Sequence, residues 1–342
     1  KVMLSSSFRL GSGAVRLLLA AVVVVSHLSA INLGRPAVMI FFMISGFWVT
    51  RAWQEWAGST TGFMASRFLR IYPLFLFVAL ANALLLFVEG AHVPDEFGLA
   101  LLLPGLASRD KTLLGVAWSL DIELQFYLAL PLLAPLLIHL RRAEVWLLAL
   151  IGWVVGIGLM SAGLVTALFF LPAFAGGAWL AQSRWKATDG QAFASVLLFM
   201  AAGAGLALLP LAREVLLKNG IETPNMGVQL THLGWSVLLL PAVAWSVHQY
   251  SSAQDRWAGD LSFSLYLVHT PVITAMAALM PAGGLALKLA MLLISAVLAV
   301  ALHRWVDLPA ELWRRAHFRN PVPIPPAAIA FAPLNSGHKR PN

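Results

Sequence analysis

The sequence contains no cysteine among its 342 residues, and it contains little charge. Without cysteine, disulfide bonds, thiolate metal sites and a cysteine nucleophile are excluded. Charged residues make up 11% of the chain, less than half of the roughly 25% that soluble domains carry. Hydrophobic residues make up 60%, in runs near the roughly twenty residues that a helix needs to cross a bilayer. The composition therefore predicts an all-α, polytopic integral membrane protein.

The hydrophobic runs predict about ten transmembrane helices. Lysine and arginine concentrate in alternate loops, which predicts that both termini are cytoplasmic. The formal charge of +8 then reflects topology, so a nucleic-acid partner is not expected. The predicted spans are 14–33, 36–53, 71–88, 121–139, 145–161, 164–182, 192–212, 228–248, 263–280 and 284–305.

A change of composition near the C-terminus predicts two regions. Residues 1–319 form the predicted membrane domain. Residues 320–342 include the run PVPIPPAAIAFAP, whose composition cannot build a packed core. We therefore expect a disordered cytoplasmic tail there.

The first span contains two ionisable residues, Arg16 and His27. Eleven residues make three helical turns plus roughly 20°, so both lie on one face, about 16 Å apart along the axis. Ionisable groups inside a span usually face a cavity or a pathway. Taken singly, His27 also fits a hydrogen-bonded structural histidine, and Arg16 fits an arginine that extends to the membrane surface.

Two neighbouring segments add small and basic residues. In FFMISGFWVTRAW, residues 41–53, Ser45 and Gly46 interrupt an aromatic run, which favours close helix packing over a substrate wall. In RFLRIYPLF, residues 67–75, Arg67 and Arg70 share one helix face. Paired guanidinium groups suit a phosphate or a pyrophosphate, although the positive-inside rule also explains such a pair.

The segment AWSLDIELQFYLALPLL, residues 117–133, brings carboxylates into an apolar run. Asp121 fits a helix cap. Glu123 lies deeper and needs a partner, so it indicates either a site or a salt bridge to an arginine of another span. The nearby polar and aromatic residues that fit a sugar are Trp118, Ser119, Gln125 and Tyr127.

The segment LSFSLYLVHTPVI, residues 261–273, places polar groups at helical spacing. Ser262, Tyr266 and His269 are separated by four and three residues. This spacing puts all three on one face of a helix.

These segments, in this order, resemble the acyltransferase-3 family of bacterial membrane O-acyltransferases. Arg16 and His27 match its paired first-span motif, and WSLDIELQFY resembles WSLSVEEQFY. FFMISGFWVT, RFLRIYPLF and LSFSLYLVHTPV resemble FF-x-x-SGF-x-x-T, RRLRRIYPLY and LSYSLYLWHWPV. The chain departs from the family at Leu124, where a second glutamate is frequent, at Val268 and Thr270, where aromatic residues are frequent, and at Asp307, where glutamate is usual.

The resemblance implies a multi-pass enzyme of the bacterial inner membrane, in the form without a soluble esterase-like domain. It implies a cytoplasmic acyl-CoA donor, often acetyl-CoA, and a carbohydrate acceptor at or beyond the outer face. No permanently bound cofactor and no metal are expected. It also implies that His27 is essential.

From these residues we derive a hypothesis for the mechanism. Arg67 and Arg70, with Arg16 and the neighbouring Tyr72, bind acyl-CoA. His27 acts as general base and Glu123 orients its imidazole, while an acyl-histidine intermediate remains open. The residues expected to bind the acceptor or the transition state are Trp118, Ser119, Gln125, Tyr127, Ser262, Tyr266 and His269.

A second function class fits the same composition. A transporter or flippase of a polar or lipid-linked substrate also has about ten helices and membrane-embedded charges. The acceptor, the length of the acyl chain and the oligomeric state are left open.

Overall fold

The computed structural model describes residues 10–56, 59–90, 113–137, 142–183, 185–209, 213–218, 226–280 and 283–318. In this part of the chain the regular structure is helical, with one isolated β-bridge between Ile31 and Leu217. The helices are α1 (Ser12–Leu28), α2 (Gly34–Glu55), α3 (Thr60–Val88), α4 (Ala117–Leu137), α5 (Arg142–Ser161), α6 (Leu171–Gln182), α7 (Asp189–Leu208), α8 (Arg213–Leu216), α9 (Met226–Val237), α10 (Leu240–Val247), α11 (Ala253–Leu279), α12 (Leu285–Leu302) and α13 (Leu308–His317).

The class of helical membrane protein is confirmed. Six helices among the described residues are long and apolar enough to cross a membrane, or seven if the bent pair of α9 and α10, which meet at 49°, forms one span. The shorter α1 has 17 residues and α6 has 12. Ten spans and cytoplasmic termini therefore stay predictions, and the predicted tail, 320–342, lies outside the described residues.

Helices α1 and α6 are shorter than the spans predicted for them. α1 ends at Leu28, five residues before the predicted end, because the chain turns at Ser29 towards α2. α6 begins at Leu171, because turns occupy the preceding residues up to Phe170. Pro172 in the first turn of α6 fits this start, since proline there removes no hydrogen bond within the helix.

Helices α1 and α11 pack against each other through small residues. A Cβ atom on Gly13 would overlap the backbone carbonyl of Asp255, and a Cβ atom on Gly259 would overlap the guanidinium of Arg16. The carboxylate of Asp255 accepts a hydrogen bond of 2.9 Å from the backbone N–H of Ala14. This contact fixes α1 and α11 relative to each other, and both helices carry predicted site residues.

Helix α2 packs against α6 in the same manner. A Cβ atom on Gly46 would overlap the carbonyl of Phe174, and one on Gly177 would overlap the carbonyl of Met43. Beside this contact, the rings of Phe42 and Phe174 stack with their centroids 4.7 Å apart. The packing interpretation of Gly46 is therefore confirmed.

The last helical segments of the described chain carry buried acidic residues. A π-helical turn, His303–Asp307, joins α12 to α13, and within it His303 and Asp307 hydrogen-bond at 3.1 Å. Glu311 on α13 is buried and accepts hydrogen bonds from Arg314 and Arg315.

The contact between α2 and α6 predicts a strong effect of a single methyl group. Gly46→Ala is expected to lower the free energy of unfolding by about 1–3 kcal/mol, because overpacking displaces a backbone. Gly158→Ala on α5 is the matched control, since nothing lies within 4 Å of its added Cβ. Thermal unfolding in detergent checks the pair, and equal unfolding temperatures would contradict the close contact.

Candidate active site

A cavity of about 150 Å³ lies between α1, α2, α3, α4 and α11. Its walls bring together residues that are far apart in the chain. The polar residues that line it are Arg16, Ser45, Arg67, Arg70, Ser119, Glu123, Tyr127, Ser262 and Tyr266. Eight of these are residues that the sequence predicts for the site, and Ser45 is the addition.

Three arginines line the cavity, but they have different surroundings. Arg70 forms an ion pair of 2.8 Å with Asp260 and a longer one of 3.8 Å with Glu311. The buried Nε atoms of Arg16 and Arg67 have no hydrogen-bond partner among the described residues. The pair predicted from spacing therefore divides into Arg70, which two carboxylates neutralise, and Arg67, whose Nε lacks a described acceptor. A buried N–H group without an acceptor is costly, so the cavity beside Arg16 and Arg67 fits an anionic ligand.

Glu123 belongs to a polar cluster that lines the same cavity. One oxygen, Oε1, accepts hydrogen bonds of 2.5 Å from Ser45 Oγ and from the Tyr127 hydroxyl. Tyr127 follows Glu123 by one helical turn, so α4 itself aligns the two. Among the described residues no hydrogen bond joins Glu123 to His27, which differs from the expectation that Glu123 orients that imidazole.

A second polar cluster joins α4 to α11. Ser119 Oγ and the Tyr266 hydroxyl lie 2.7 Å apart, and Ser119 also lies 3.0 Å from the carbonyl of Val116. Ser262 donates to the carbonyl of Gly259 at 2.7 Å. These hydroxyls line the cavity with Phe41 and leave it mixed in polarity.

His27 lies beyond this cavity, in the last turn of α1. Its side chain is exposed, and its ring contacts that of His269 with the centroids 5.1 Å apart. His269 is buried and lies 6.0 Å from the ring of Tyr266, a cavity residue. Arg16 and His27 both face α11, at Gly259 and His269 respectively. The prediction of one shared face on α1 is therefore confirmed.

Three further predicted site residues also lie outside the cavity lining, and they have packing contacts. Tyr72 stacks on Phe68 with the ring centroids 5.5 Å apart. The ring of Trp118 contacts Phe170 at 5.7 Å. Gln125 accepts a hydrogen bond of 2.8 Å from the backbone N–H of Ala167. Their predicted roles in binding are not supported by these contacts.

Asp121 does not cap α4. The helix begins at Ala117, so Asp121 lies in its second turn and accepts a hydrogen bond of 3.0 Å from Gln125. The predicted cap is therefore wrong, because the helix starts earlier than the predicted span.

Comparison with known proteins supports the motif assignment. The acyltransferase-3 family model, described as an acyltransferase domain, matches residues 9–304. The chain belongs to this family. Nodulation protein 10 of Rhizobium leguminosarum bv. viciae is 32% identical over 132 residues, 32% of this chain and 35% of that protein.

A second relative is named as an acyltransferase. The acyltransferase MdmB of Streptomyces mycarofaciens is 31% identical over 125 residues, which cover 34% of this chain and 32% of the relative. The chain thus spans about a third of the length of the curated relatives it matches. No solved structure matches it.

Sequence reasoning misses some residues of this candidate site. Ser45 is assigned there to packing, and Asp260 and Glu311 are not singled out at all. Ser45 bonds to Glu123, whereas Asp260 and Glu311 form ion pairs with Arg70. Each of these contacts joins helices that are distant in the sequence. The available signal is the presence of a carboxylate in each of two helical segments that also carry arginine.

The divided arginine pair predicts opposite effects on stability. Arg70→Met is expected to lower the free energy of unfolding by about 1–3 kcal/mol, because Asp260 loses its charged hydrogen-bond partner. Arg67→Met removes a buried Nε–H group that has no described acceptor, so stability should stay equal or rise. Denaturation in detergent measures both variants. Equal losses of stability would contradict the difference between the surroundings of Arg67 and Arg70.

Proposed function

We propose that this protein is a membrane O-acyltransferase that moves an acyl group from cytoplasmic acyl-CoA, with acetyl-CoA as the expected donor, to a hydroxyl of a carbohydrate or glycoside. One observation carries the proposal. Two arginines that line the cavity, Arg16 and Arg67, have buried Nε atoms without a described hydrogen-bond partner, and Tyr266 on its wall contacts His269, which contacts His27.

The arginines that line the cavity fit the phosphates of the donor. Arg16 and Arg67 supply charge that no described carboxylate hydrogen-bonds, and guanidinium groups bind phosphate oxygens in pairs. Arg70 adds charge from a side chain held by Asp260. The proposal therefore assigns binding of the anionic donor to the arginines predicted for it, and it gives Arg16 a larger role in that binding than Arg70.

The length of the cavity fits the extended arm of the donor. The residues of α2 that line it run from Val38 to Val49, which is about 16 Å of helix. Ser45, Glu123 and Tyr127 lie on this path and offer hydrogen-bonding groups to the amides of a pantetheine arm. The thioester would then lie towards Tyr266 and the histidine pair.

His269 is the group that best fits the role of orienting His27. Its Nδ1 lies 3.2 Å from the carbonyl of Leu265, an acceptor, so Nδ1 carries the proton. Its Nε2 is then a lone pair, buried without a hydrogen-bond partner among the described residues. In the proposed mechanism this atom accepts the ring N–H of His27 and leaves the other nitrogen of His27 as the base.

The proposed reaction then balances without a further reactant. The hydroxyl oxygen of the acceptor attacks the thioester carbonyl carbon, a C–O bond forms and the C–S bond breaks. His27 takes the hydroxyl proton and returns it to the thiolate of CoA. The hydroxyls of Ser119 and Tyr266 are the nearest cavity donors for the tetrahedral oxyanion.

The role of His27 predicts a large loss of activity on substitution. His27→Ala should slow transfer of a labelled acetyl group from acetyl-CoA to cell-envelope glycans by about 10²- to 10⁴-fold, the usual contribution of a general base. Binding of the donor and the unfolding temperature should stay unchanged. His317→Ala, at an exposed histidine of α13, is the control. A normal rate in the His27 variant would refute the assignment, and solute transport without thioester cleavage would favour a transporter.

The role of His269 predicts rescue by a side chain that accepts a hydrogen bond. His269→Leu should reduce the rate by about 10- to 100-fold, as removal of a group that orients a catalytic partner does. His269→Gln should recover part of it, because its amide oxygen can accept the His27 N–H. The pH profile of the rate should shift in both variants. An unchanged profile with loss of folding alone would indicate a structural histidine.

A further inference from the structure

The end of α1 that carries His27 depends on support from outside the helix. His27 is the second-last residue of α1, which ends at Leu28. The last four carbonyl groups of a helix have no partner within it, and helix ends fray. A catalytic group has to be held within about 0.5 Å of its working position. The contacts made by this last turn therefore bear on how well His27 can act as a base.

A short segment, residues 215–218, is hydrogen-bonded to the loop that joins α1 to α2. The backbone N–H of Asn32 donates to the carbonyl of Leu216 at 2.7 Å. In the other direction, the backbone N–H of Lys218 donates to the carbonyl of Ala30 at 2.8 Å. Because one bond runs from the loop to the segment and the other runs back, the pair fixes the register between them.

The same segment is anchored to the helical bundle through α9. The ring of His232, which is fully buried, donates a hydrogen bond of 2.7 Å to the carbonyl of Val215, which is also buried. The segment is thus joined to the bundle at its first residue and to the loop after α1 at its last residue. It can therefore transmit the position of α9 to the end of α1.

Ser26, the residue before His27, is the point where this segment reaches α1 itself. The ammonium group of Lys218 donates to the carbonyl of Ser26, which also accepts a longer bond of 3.3 Å from the N–H of Ser29. The hydroxyl of the buried Ser26 donates to the carbonyl of Ile31 at 2.7 Å. A lysine at a helix C-terminus binds free carbonyls and is favoured by the helix dipole.

We propose that Lys218 is a positioning residue for the base. By binding the carbonyl of Ser26 it holds the last turn of α1, so that the ring of His27 stays 5.1 Å from that of His269. The proposal rests on the proposed acyl transfer, in which His27 takes the proton of the acceptor. Lys218 acts through the backbone and not on the reacting atoms. Its loss should therefore slow transfer without weakening the donor, whose phosphates are assigned to the arginines of the cavity.

The test separates the rate of transfer from donor binding. Protein in nanodiscs of zwitterionic lipid is given labelled acetyl-CoA and cell-envelope glycans, and kcat and KM for acetyl-CoA are measured. Lys218→Met should lower kcat about tenfold, part of the roughly 10²-fold that a 1 Å misplacement can cost, with KM unchanged. Lys218→Arg should recover most of the rate, because a guanidinium N–H can donate to the same carbonyl. Lys288→Met, at an exposed lysine of α12, is the matched control and should keep the normal rate.

A double variant shows whether Lys218 acts through His27. In His27→Ala no imidazole is left to position, so adding Lys218→Met should leave the residual rate unchanged. Ser26→Ala provides a second route to the same turn if Lys218→Met does not fold. It removes the hydrogen bond to Ile31, and it should also lower kcat while KM for acetyl-CoA stays the same.

Three outcomes would overturn the proposal while leaving acyl transfer intact. The first is a normal kcat in folded Lys218→Met. The second is an equal loss of rate on adding Lys218→Met to the unmodified protein and to His27→Ala, since Lys218 would then act elsewhere. The third is a raised KM for acetyl-CoA with an unchanged kcat, which would assign Lys218 to donor binding. No transfer by the unmodified protein, with no thioester cleavage, would instead refute the proposed function and this inference with it.

Discussion

The close contact between α1 and α11 is the constraint on which the site depends. Glycine at positions 13 and 259 lets the two helices approach until a methyl group would no longer fit. At one level of this contact Gly259 leaves room for the guanidinium of Arg16, and further along His27 meets His269. The two helices therefore hold the cation of the cavity and the histidine pair in one fixed register.

The three arginines of the cavity differ in how their charges are balanced. Arg70 has two carboxylates within 4 Å, so its charge is balanced within the protein. Arg16 and Arg67 keep buried Nε atoms without a hydrogen-bond partner in the described residues. Leaving a buried N–H group without an acceptor costs stability. In the proposed function the phosphates of the donor would supply acceptors to these arginines, which connects the energetics of the fold to the proposed donor.

Sequence reasoning finds what helical periodicity determines. It places Arg16 and His27 on one face of α1 and groups Ser262 with Tyr266, because 3.6 residues per turn fix which side chains share a side. It does not find the partner of Glu123, because spacing within α4 does not determine which helix lies opposite. The partner from another helix is Ser45 on α2, and His27 contacts His269 instead of Glu123. The ion pairs of Asp260 and Glu311 with Arg70 also join different helices, so the sequence does not predict them.

In the proposed mechanism, the position of His27 outside the cavity affects the competition between the acceptor and water. His27 is exposed at the end of α1, whereas the donor cavity lies within the bundle, with Tyr266 at the contact between them. In the proposed mechanism the cavity shields the thioester from water, while a hydrophilic acceptor reaches His27 from the exposed end of α1. Hydrolysis competes with transfer wherever water reaches both the base and the thioester. An acceptor bound between His27 and the thioester would exclude water and so become the favoured nucleophile.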